Sequence, residues 1–225
     1  MGVTFCGGAR RMWPWTETWN RKMRIETDED VAEGFDRLRK IEPKFAVISG
    51  PLPLRRRPDG FGALLHAIVG QQVSTASAAA IWGRVQSAGL HQETAVAAAT
   101  EEALRGCGLS RPKVRYAKAL SEARIDYAAL RDAPLDDVLA TLIAVPGIGR
   151  WTAEIYAKFA LGHADVFAAG DLALQEGARL LFDLPERPAE KEMRAMAEAW
   201  TPVRAIAARA LWAYYREKTK REGAI

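Results

Sequence analysis

Cysteine and histidine are scarce in this sequence, which has 225 residues but only two cysteines and three histidines. Cys6 and Cys107 are too few for a four-cysteine zinc or iron–sulfur site, and neither belongs to a C-x-x-C pair. The histidines form no H-E-x-x-H pattern and no cluster of ligands, which argues against a hydrolytic metal site. We therefore expect no iron–sulfur cluster, no cofactor needed for catalysis and a reducing, cytoplasmic location.

Long hydrophobic runs are also missing. The longest apolar stretch, FGALLHAIVG, is interrupted by His66 and is far shorter than a membrane span. The first fifteen residues lack the apolar region of a secretory signal. The sequence thus predicts a protein with no membrane partner.

Alternation of apolar and polar residues, the signature of a half-buried strand, is absent too, and the pattern predicts an all-α fold. We expect helices capped by Thr27, Asp59 and Ser74, and one long helix over residues 111–130. Residues 1–26 show no helical periodicity of apolar residues. We therefore expect a tail or strap there, followed by a helical body over residues 27–225. The arginine-rich PLPLRRRP segment predicts a junction of two lobes near 51–60, or a loop with a solvated charge run.

The net charge is mildly positive: Lys and Arg number 32 against 28 Asp and Glu, and the pI is about 9.2. This excess fits a polyanionic partner without requiring one.

A glycine-punctuated turn, LIAVPGIGRWTAEIYAKFAL, separates two helical patterns within residues 135–162. Pro146 ends the first helix, and Gly147 and Gly149 permit positive φ and expose backbone N–H groups. Those groups, in front of a helix N-terminus, suit a phosphate oxygen. The alternative is a tight helix–helix turn whose glycines serve geometry alone.

Two later residues have a possible second role beside their ordinary structural one. Asp171 follows Gly170 and precedes an apolar helix, so its local role is an N-cap. Trp212 lies about 180° from Val203, opposite the apolar stripe of its helix, and therefore faces a second buried surface or a cleft.

The hairpin and the downstream loop VFAAGDLAL together resemble the helix-hairpin-helix/Gly-Pro-Asp DNA glycosylase superfamily, over residues 139–174 in detail and 61–215 in general pattern. The resemblance implies a two-lobed helical glycosylase fold. Bifunctional relatives carry a lysine where this chain has Trp151, so we expect base removal without strand cleavage. Together with the scarce cysteines, this favours the 3-methyladenine DNA glycosylase II branch. We expect a short form that lacks the branch's N-terminal β domain and accepts a broader range of substrates.

The resemblance assigns roles to particular residues. Asp171 becomes the catalytic carboxylate, and Gln71 and Gln72 become the wedge that fills the gap left by the flipped base, although a polar helix end is an equal interpretation. The base pocket is assigned to Trp151, Trp212 and Ile155. For Trp151 and its helix, packing in the hydrophobic core is the alternative interpretation. Main-chain carbonyls that hold a monovalent cation, Na⁺ or K⁺, are assigned to Ile143, Val145 and Ile148. Contacts to DNA phosphates are assigned to Gly147, Ile148, Gly149, Arg150, Thr152 and Lys113.

The expected function is therefore a monomeric, monofunctional glycosylase that flips and excises alkylated bases of the 3-methyladenine or 7-methylguanine type from double-stranded DNA, associated with the nucleoid. A non-catalytic DNA-binding module and a glycosylase for deaminated or mismatched bases are the alternatives. Asp171 and the off-stripe Trp212 favour an enzyme, because a pure binder needs neither.

Overall fold

The computed structural model describes residues 24–219. The predicted tail, residues 1–26, lies outside the described residues except for its last three. Within the described range the chain is helical, and its only strand-like pairing is an isolated bridge between Arg24 and His163. The all-α prediction is confirmed for this part of the chain.

Twelve α-helices and two short 3₁₀ helices make up the described range. The 3₁₀ helices are Pro43–Val47 and Glu198–Trp200. The α-helices are α1 (Asp28–Ile41), α2 (Phe61–Gly70), α3 (Thr75–Ser87), α4 (Glu93–Ala98), α5 (Glu101–Gly106), α6 (Arg111–Glu122), α7 (Tyr127–Asp132), α8 (Leu135–Ile143), α9 (Arg150–Phe159), α10 (Leu172–Phe182), α11 (Glu190–Ala197) and α12 (Arg204–Thr219).

Two of the three predicted N-caps are confirmed. Thr27 forms a capping box with Asp30, and Ser74 accepts a hydrogen bond from the amide of Ser77. The prediction for Asp59 is wrong, because α2 is capped by Gly60 without a side-chain hydrogen bond. Asp59 instead accepts from the guanidinium of Arg131, so a tertiary ion pair replaces the local cap.

The single helix predicted over residues 111–130 is two helices. α6 ends at Glu122, Arg124 adopts a left-handed backbone with φ of 46°, and Asp126 caps α7 by accepting from two amides. A polar turn residue with its own capping bonds competes with helix continuation here. The six-residue α4 was not predicted, because one and a half turns are too short for a periodic pattern.

An aromatic cluster holds the start of the body against its end. Phe45 packs edge-on against Phe182 and Trp200, with ring centroids 5.9 and 5.5 Å apart, and Phe182 stacks on Trp200. These rings join the first 3₁₀ helix to α10 and to the second 3₁₀ helix. No helix in residues 24–219 has both the length and the apolar character that crossing a bilayer requires.

The close approach of α10 and α12 is made possible by a glycine. A Cβ added at Gly177 would lie 2.8 Å from the carbonyl oxygen of Leu211, which is below normal contact distance. α10 begins directly after Asp171 and α12 carries Trp212, so this contact sets the separation of the two predicted site residues.

We expect Gly177→Ala to destabilise the protein by about 1–3 kcal/mol, because the extra methyl must push apart two backbones. Gly83→Ala is the matched control: Gly83 lies in the exposed middle of α3 with nothing within 4 Å of an added Cβ. That change should stabilise by about 0.5–1 kcal/mol through helix propensity. Urea unfolding at constant m-value measures both, and equal effects of the two substitutions would contradict the close-contact interpretation.

Candidate functional site

The predicted hairpin joins α8 to α9 through a turn over residues 144–149. Gly147 has a φ of 91°, and the ring of Tyr116, from α6, occupies the space where a Cβ would lie. A glycine is needed here for both backbone conformation and room. The side chain of Gln71 braces the same residue by donating to its carbonyl oxygen at 2.9 Å.

Gly149 does not use the positive φ that a glycine permits, because its φ is −80° and its ψ 166°. Gly149 is the N-cap of α9 and makes no side-chain hydrogen bond, and an added Cβ would meet nothing within 4 Å. What this glycine supplies is open space in front of the first N–H groups of α9, the arrangement that accommodates an anion.

A cavity of about 590 Å³ lies in front of this turn. It brings together three groups of residues that the sequence assigned separately to the wedge, to the phosphate contacts and to the carbonyl site. Its lining consists of Gln71, Gln72, Ser110, Pro112, Lys113, Tyr116, Ile143 and residues 144–149.

Within the predicted wedge the two glutamines differ. Gln72 is exposed and has a φ of 55°, a strained conformation for a residue with a side chain. The amide of Gln71 is already engaged with Gly147. Of the two glutamines, Gln72 is therefore the one with an exposed side chain, and Gln71 is the one that braces the hairpin turn.

The predicted phosphate contacts are not equally available. Lys113 is buried, and its amine donates to the carbonyl of Val69 at 2.7 Å, although the residue still lines the cavity. Thr152 is buried in the first turn of α9. Arg150 is half exposed and pairs with Glu154 at 3.0 Å.

Glu154, which the sequence reasoning missed, is 2% exposed and receives two arginines on the same oxygen. The second is Arg194 of α11, at 2.8 Å. This pairing fixes the start of α9, next to the turn, against a distant helix. A buried carboxylate needs such partners, because desolvation of an unpaired charge is costly. Nothing in the sequence spacing indicates the pairing with Arg194.

The loop between α9 and α10 is almost entirely buried, and several of its backbone groups are hydrogen-bonded within the loop or to surrounding elements. The carbonyl of Ala164 accepts from the amide of Ala205 at 2.9 Å, and the side chain of Gln175 donates to the carbonyl of Ala169 at 2.8 Å. Asp165 forms a two-pronged ion pair with Arg204, at 2.7 and 3.0 Å. These bonds hold the loop that ends at Asp171 in one conformation.

Asp171 is 7% exposed, and its carboxylate accepts four hydrogen bonds. Oδ1 caps α10 by accepting from the amides of Ala173 and Leu174, at 2.9 and 3.0 Å, and also accepts from the indole of Trp212 at 3.2 Å. Oδ2 accepts from the indole of Trp151 at 3.1 Å. The predicted capping role is therefore confirmed, and the same carboxylate also accepts from the two tryptophans that the resemblance assigns to the base pocket.

The predicted pocket residues lie in different environments. Trp151 is 40% exposed at the start of α9, so the rival interpretation of this residue as core packing is wrong. Trp212 is 5% exposed and stacks on Phe159 with ring centroids 5.6 Å apart. Ile155 is buried one turn after Trp151. The side of α12 opposite the sequence stripe therefore faces the carboxylate.

Two buried cations behind Trp212 were also missed. The amine of Lys158 lies 3.8 Å from the centroid of the Trp212 ring, and burial lowers its pKa well below the usual value. Arg209, one turn before Trp212, donates to the carbonyls of Ala205 and Leu54, and burial lowers its pKa to about 9. The seven-residue spacing between Trp151 and Lys158, which puts both on one helix face, was the available signal.

Two of the three carbonyl oxygens assigned to a cation accept no backbone hydrogen bond from the described residues, as suits a cation ligand. The carbonyl of Val145 accepts the amide of Ile148 at 3.0 Å, whereas those of Ile143 and Ile148 accept no backbone hydrogen bond from any described residue. Uncommitted backbone carbonyls are suitable ligands for Na⁺ or K⁺.

A large part of this chain matches known proteins. The family model described as "HhH-GPD superfamily base excision DNA repair protein" matches residues 65–202. The curated DNA-3-methyladenine glycosylase 1 of Schizosaccharomyces pombe is 29% identical over 165 residues, which cover 69% of this chain and 72% of that protein.

Solved structures agree with this match. A crystal structure of DNA-3-methyladenine glycosidase from Bacillus halodurans has a TM-score of 0.76 at 32% identity, and the match covers 88% of this chain and 94% of that one. The Schizosaccharomyces pombe 3-methyladenine DNA glycosylase in complex with abasic DNA has a TM-score of 0.63 at 27% identity, covering 83% and 91%. Since the family model spans more than half of the sequence, the chain belongs to the HhH-GPD superfamily of base excision DNA repair proteins.

Proposed function

We propose that this protein is a monofunctional DNA glycosylase that flips alkylated bases of the 3-methyladenine and 7-methylguanine type out of double-stranded DNA and hydrolyses their N-glycosidic bond. The product is an abasic site for base excision repair. The observation that carries the proposal is the Asp171 carboxylate held between the indoles of Trp151 and Trp212. The solved relative in complex with abasic DNA, the product expected here, supports it.

Binding begins at the hairpin. The open N-terminus of α9 receives a backbone phosphate beside the lesion, while Gln72 enters the duplex and Gln71 keeps the turn in place. Na⁺ or K⁺ on the carbonyls of Ile143, Val145 and Ile148 would add positive charge next to that phosphate. Phosphate contacts position the protein without reading sequence, as a repair enzyme that scans DNA requires.

The flipped base stacks on the exposed Trp151 and, deeper in the site, on Trp212. An alkyl group on a purine ring nitrogen leaves the base cationic, and the electron-rich face of an indole attracts a cation. The N–H groups of both indoles already point at the Asp171 carboxylate. The base therefore lies against the indole rings, and the sugar lies next to the carboxylate that the same hydrogen bonds hold.

Bond cleavage builds positive charge on the sugar, and the fixed Asp171 carboxylate stabilises that charge in a site that largely excludes water. The base leaves with the bonding electron pair, and a water molecule adds to the sugar carbon. Oδ2 accepts a single indole hydrogen bond and keeps capacity to orient this water and take its proton. A DNA-binding module without catalysis would need no carboxylate at this place.

We expect Asp171→Asn to lower single-turnover base release from methylated DNA at least about 100-fold, because the negative charge is lost. Asn still offers an oxygen to the amides of Ala173 and Leu174, so α10 keeps its cap and the fold persists. Asp126→Asn is the matched control, since Asp126 caps α7 through two amides away from the site and should leave release unchanged. Equal release by both variants would remove Asp171 from the mechanism.

Strand cleavage should be absent. A lyase needs a free amine at the sugar, but the position after Arg150 is Trp151, and the amine of Lys158 is buried against Trp212. Products analysed without alkali should contain intact strands, and borohydride should trap no protein–DNA adduct. A nick before alkali, or a trapped adduct, would identify a lysine nucleophile and overturn the monofunctional assignment.

DNA affinity should fall steeply with salt, because phosphate contacts release counterions. We expect Gly147→Ala to weaken binding about tenfold, since a methyl at positive φ collides with Tyr116 and distorts the turn. Gly108→Ala is the control: its φ is 97°, but it lies outside the hairpin. Fluorescence anisotropy over a salt series measures both, and a flat salt response of the wild type would contradict the phosphate-binding role.

A further inference from the structure

Lys158 places an amine inside the protein at a position where the proposed mechanism gives it no task. The side chain is 1% exposed, and Nζ has no hydrogen-bond partner within residues 24–219. It lies over the face of Trp212, 3.8 Å from the ring centroid. An unpaired buried amine costs stability, so its presence beside a base-stacking residue requires an account in terms of function.

The amine occupies one particular face of the indole. Nζ lies 5.1 Å from the centroid of Phe159 and 3.8 Å from that of Trp212, while the two rings are 5.6 Å apart and nearly parallel. These three separations place the amine and the phenyl ring on the same side of Trp212. A base that stacks on Trp212 therefore has to use the opposite face.

The charges around Lys158 come from three different segments. Arg209 of α12 and Arg55 of the arginine-rich segment face it as like charges, and Asp171 faces it as the opposite charge. Burial is the largest cause that lowers the pKa of Lys158, the two arginines lower it further, and Asp171 raises it. Because its pKa is depressed, the Lys158 amine takes up its proton only at a lower pH than an ordinary lysine does.

We propose that Lys158 is a positioning residue that sets base specificity through Trp212, disfavouring cationic damaged bases and shifting the preference towards uncharged ones such as hypoxanthine. This inference rests on the proposed function, in which Trp212 stacks on the flipped base. The ring's electron-rich face attracts one cation well, but two cations on opposite faces share that attraction and repel each other. An uncharged base has no cation–π attraction to lose, so an amine on the other face of the ring does not weaken its stacking.

The test compares wild type with Lys158→Met, which keeps the unbranched shape and removes the charge. Single-turnover release is measured for 7-methylguanine and for hypoxanthine in the same duplex, from pH 5.5 to 8. At pH 5.5 the substitution should raise the ratio of 7-methylguanine to hypoxanthine release about tenfold, and the gain should shrink as the pH rises and the amine loses its proton.

The ratio separates specificity from other effects. If the amine acted on the sugar, on Asp171 or on folding, the release of both bases would change by the same factor. The ratio of the two release rates would then stay the same. The pH dependence of each substrate itself cancels when the release ratio of the variant is divided by that of the wild type at the same pH. Lys44→Met is the matched control, because Lys44 lies 5.4 Å from the Phe182 ring on the outer surface, away from the site, and should leave the ratio unchanged.

The stability of Lys158→Met should equal or exceed that of the wild type, since an unpaired buried amine is replaced by an apolar chain. An unchanged ratio at every pH would overturn the inference, as would wild-type enzyme that releases 7-methylguanine but no hypoxanthine. Wild-type enzyme that releases neither base would instead overturn the proposed function, and the inference with it.

Discussion

The carboxylate of Asp171 is the point at which three separate segments of this protein meet. It accepts two amide hydrogens from the start of α10, one indole hydrogen from α9 and one from α12. Each bond satisfies a buried or half-buried donor, and together they fix the positions of Trp151 and Trp212 relative to one oxygen pair. Charge-assisted hydrogen bonds of this kind are stronger than neutral ones, so the unit is rigid before any DNA arrives.

The rest of the fold keeps that junction in place. The loop before Asp171 is buried, a position that a loop tolerates only when its backbone groups are paired, and here amides and side chains of neighbouring elements pair them. Gly177 lets α10 lie against the backbone of α12, and the Asp165–Arg204 pair ties the loop to the start of that same helix. The distance between carboxylate and pocket is therefore set by a close backbone contact together with a paired side chain.

Two buried basic side chains lie on the inner side of this single carboxylate. Lys158 and Arg209 are both buried behind Trp212, and burial lowers the pKa of each. A cationic transition state and a cationic base are both disfavoured by further positive charge nearby, so a protonated Lys158 opposes the chemistry on alkylated bases. Its amine lies against one face of the Trp212 indole, and its effect reaches the base through that ring.

The sequence alone determined the features that depend on neighbouring residues. Helical periodicity, the caps at Thr27 and Ser74, the glycine turn and the capping Asp171 follow from local backbone preferences, and the structure contains all of them. The predicted cap at Asp59 failed because a contact distant in sequence prevailed, the ion pair of Asp59 with Arg131. Only the tertiary structure decided that Gly147 lies under Tyr116, that Trp151 and Trp212 share Asp171, and that Lys158 lies behind the pocket. Those relations join residues far apart along the chain, 41 positions in the case of Asp171 and Trp212, and packing between helices, not spacing along the chain, brings them together.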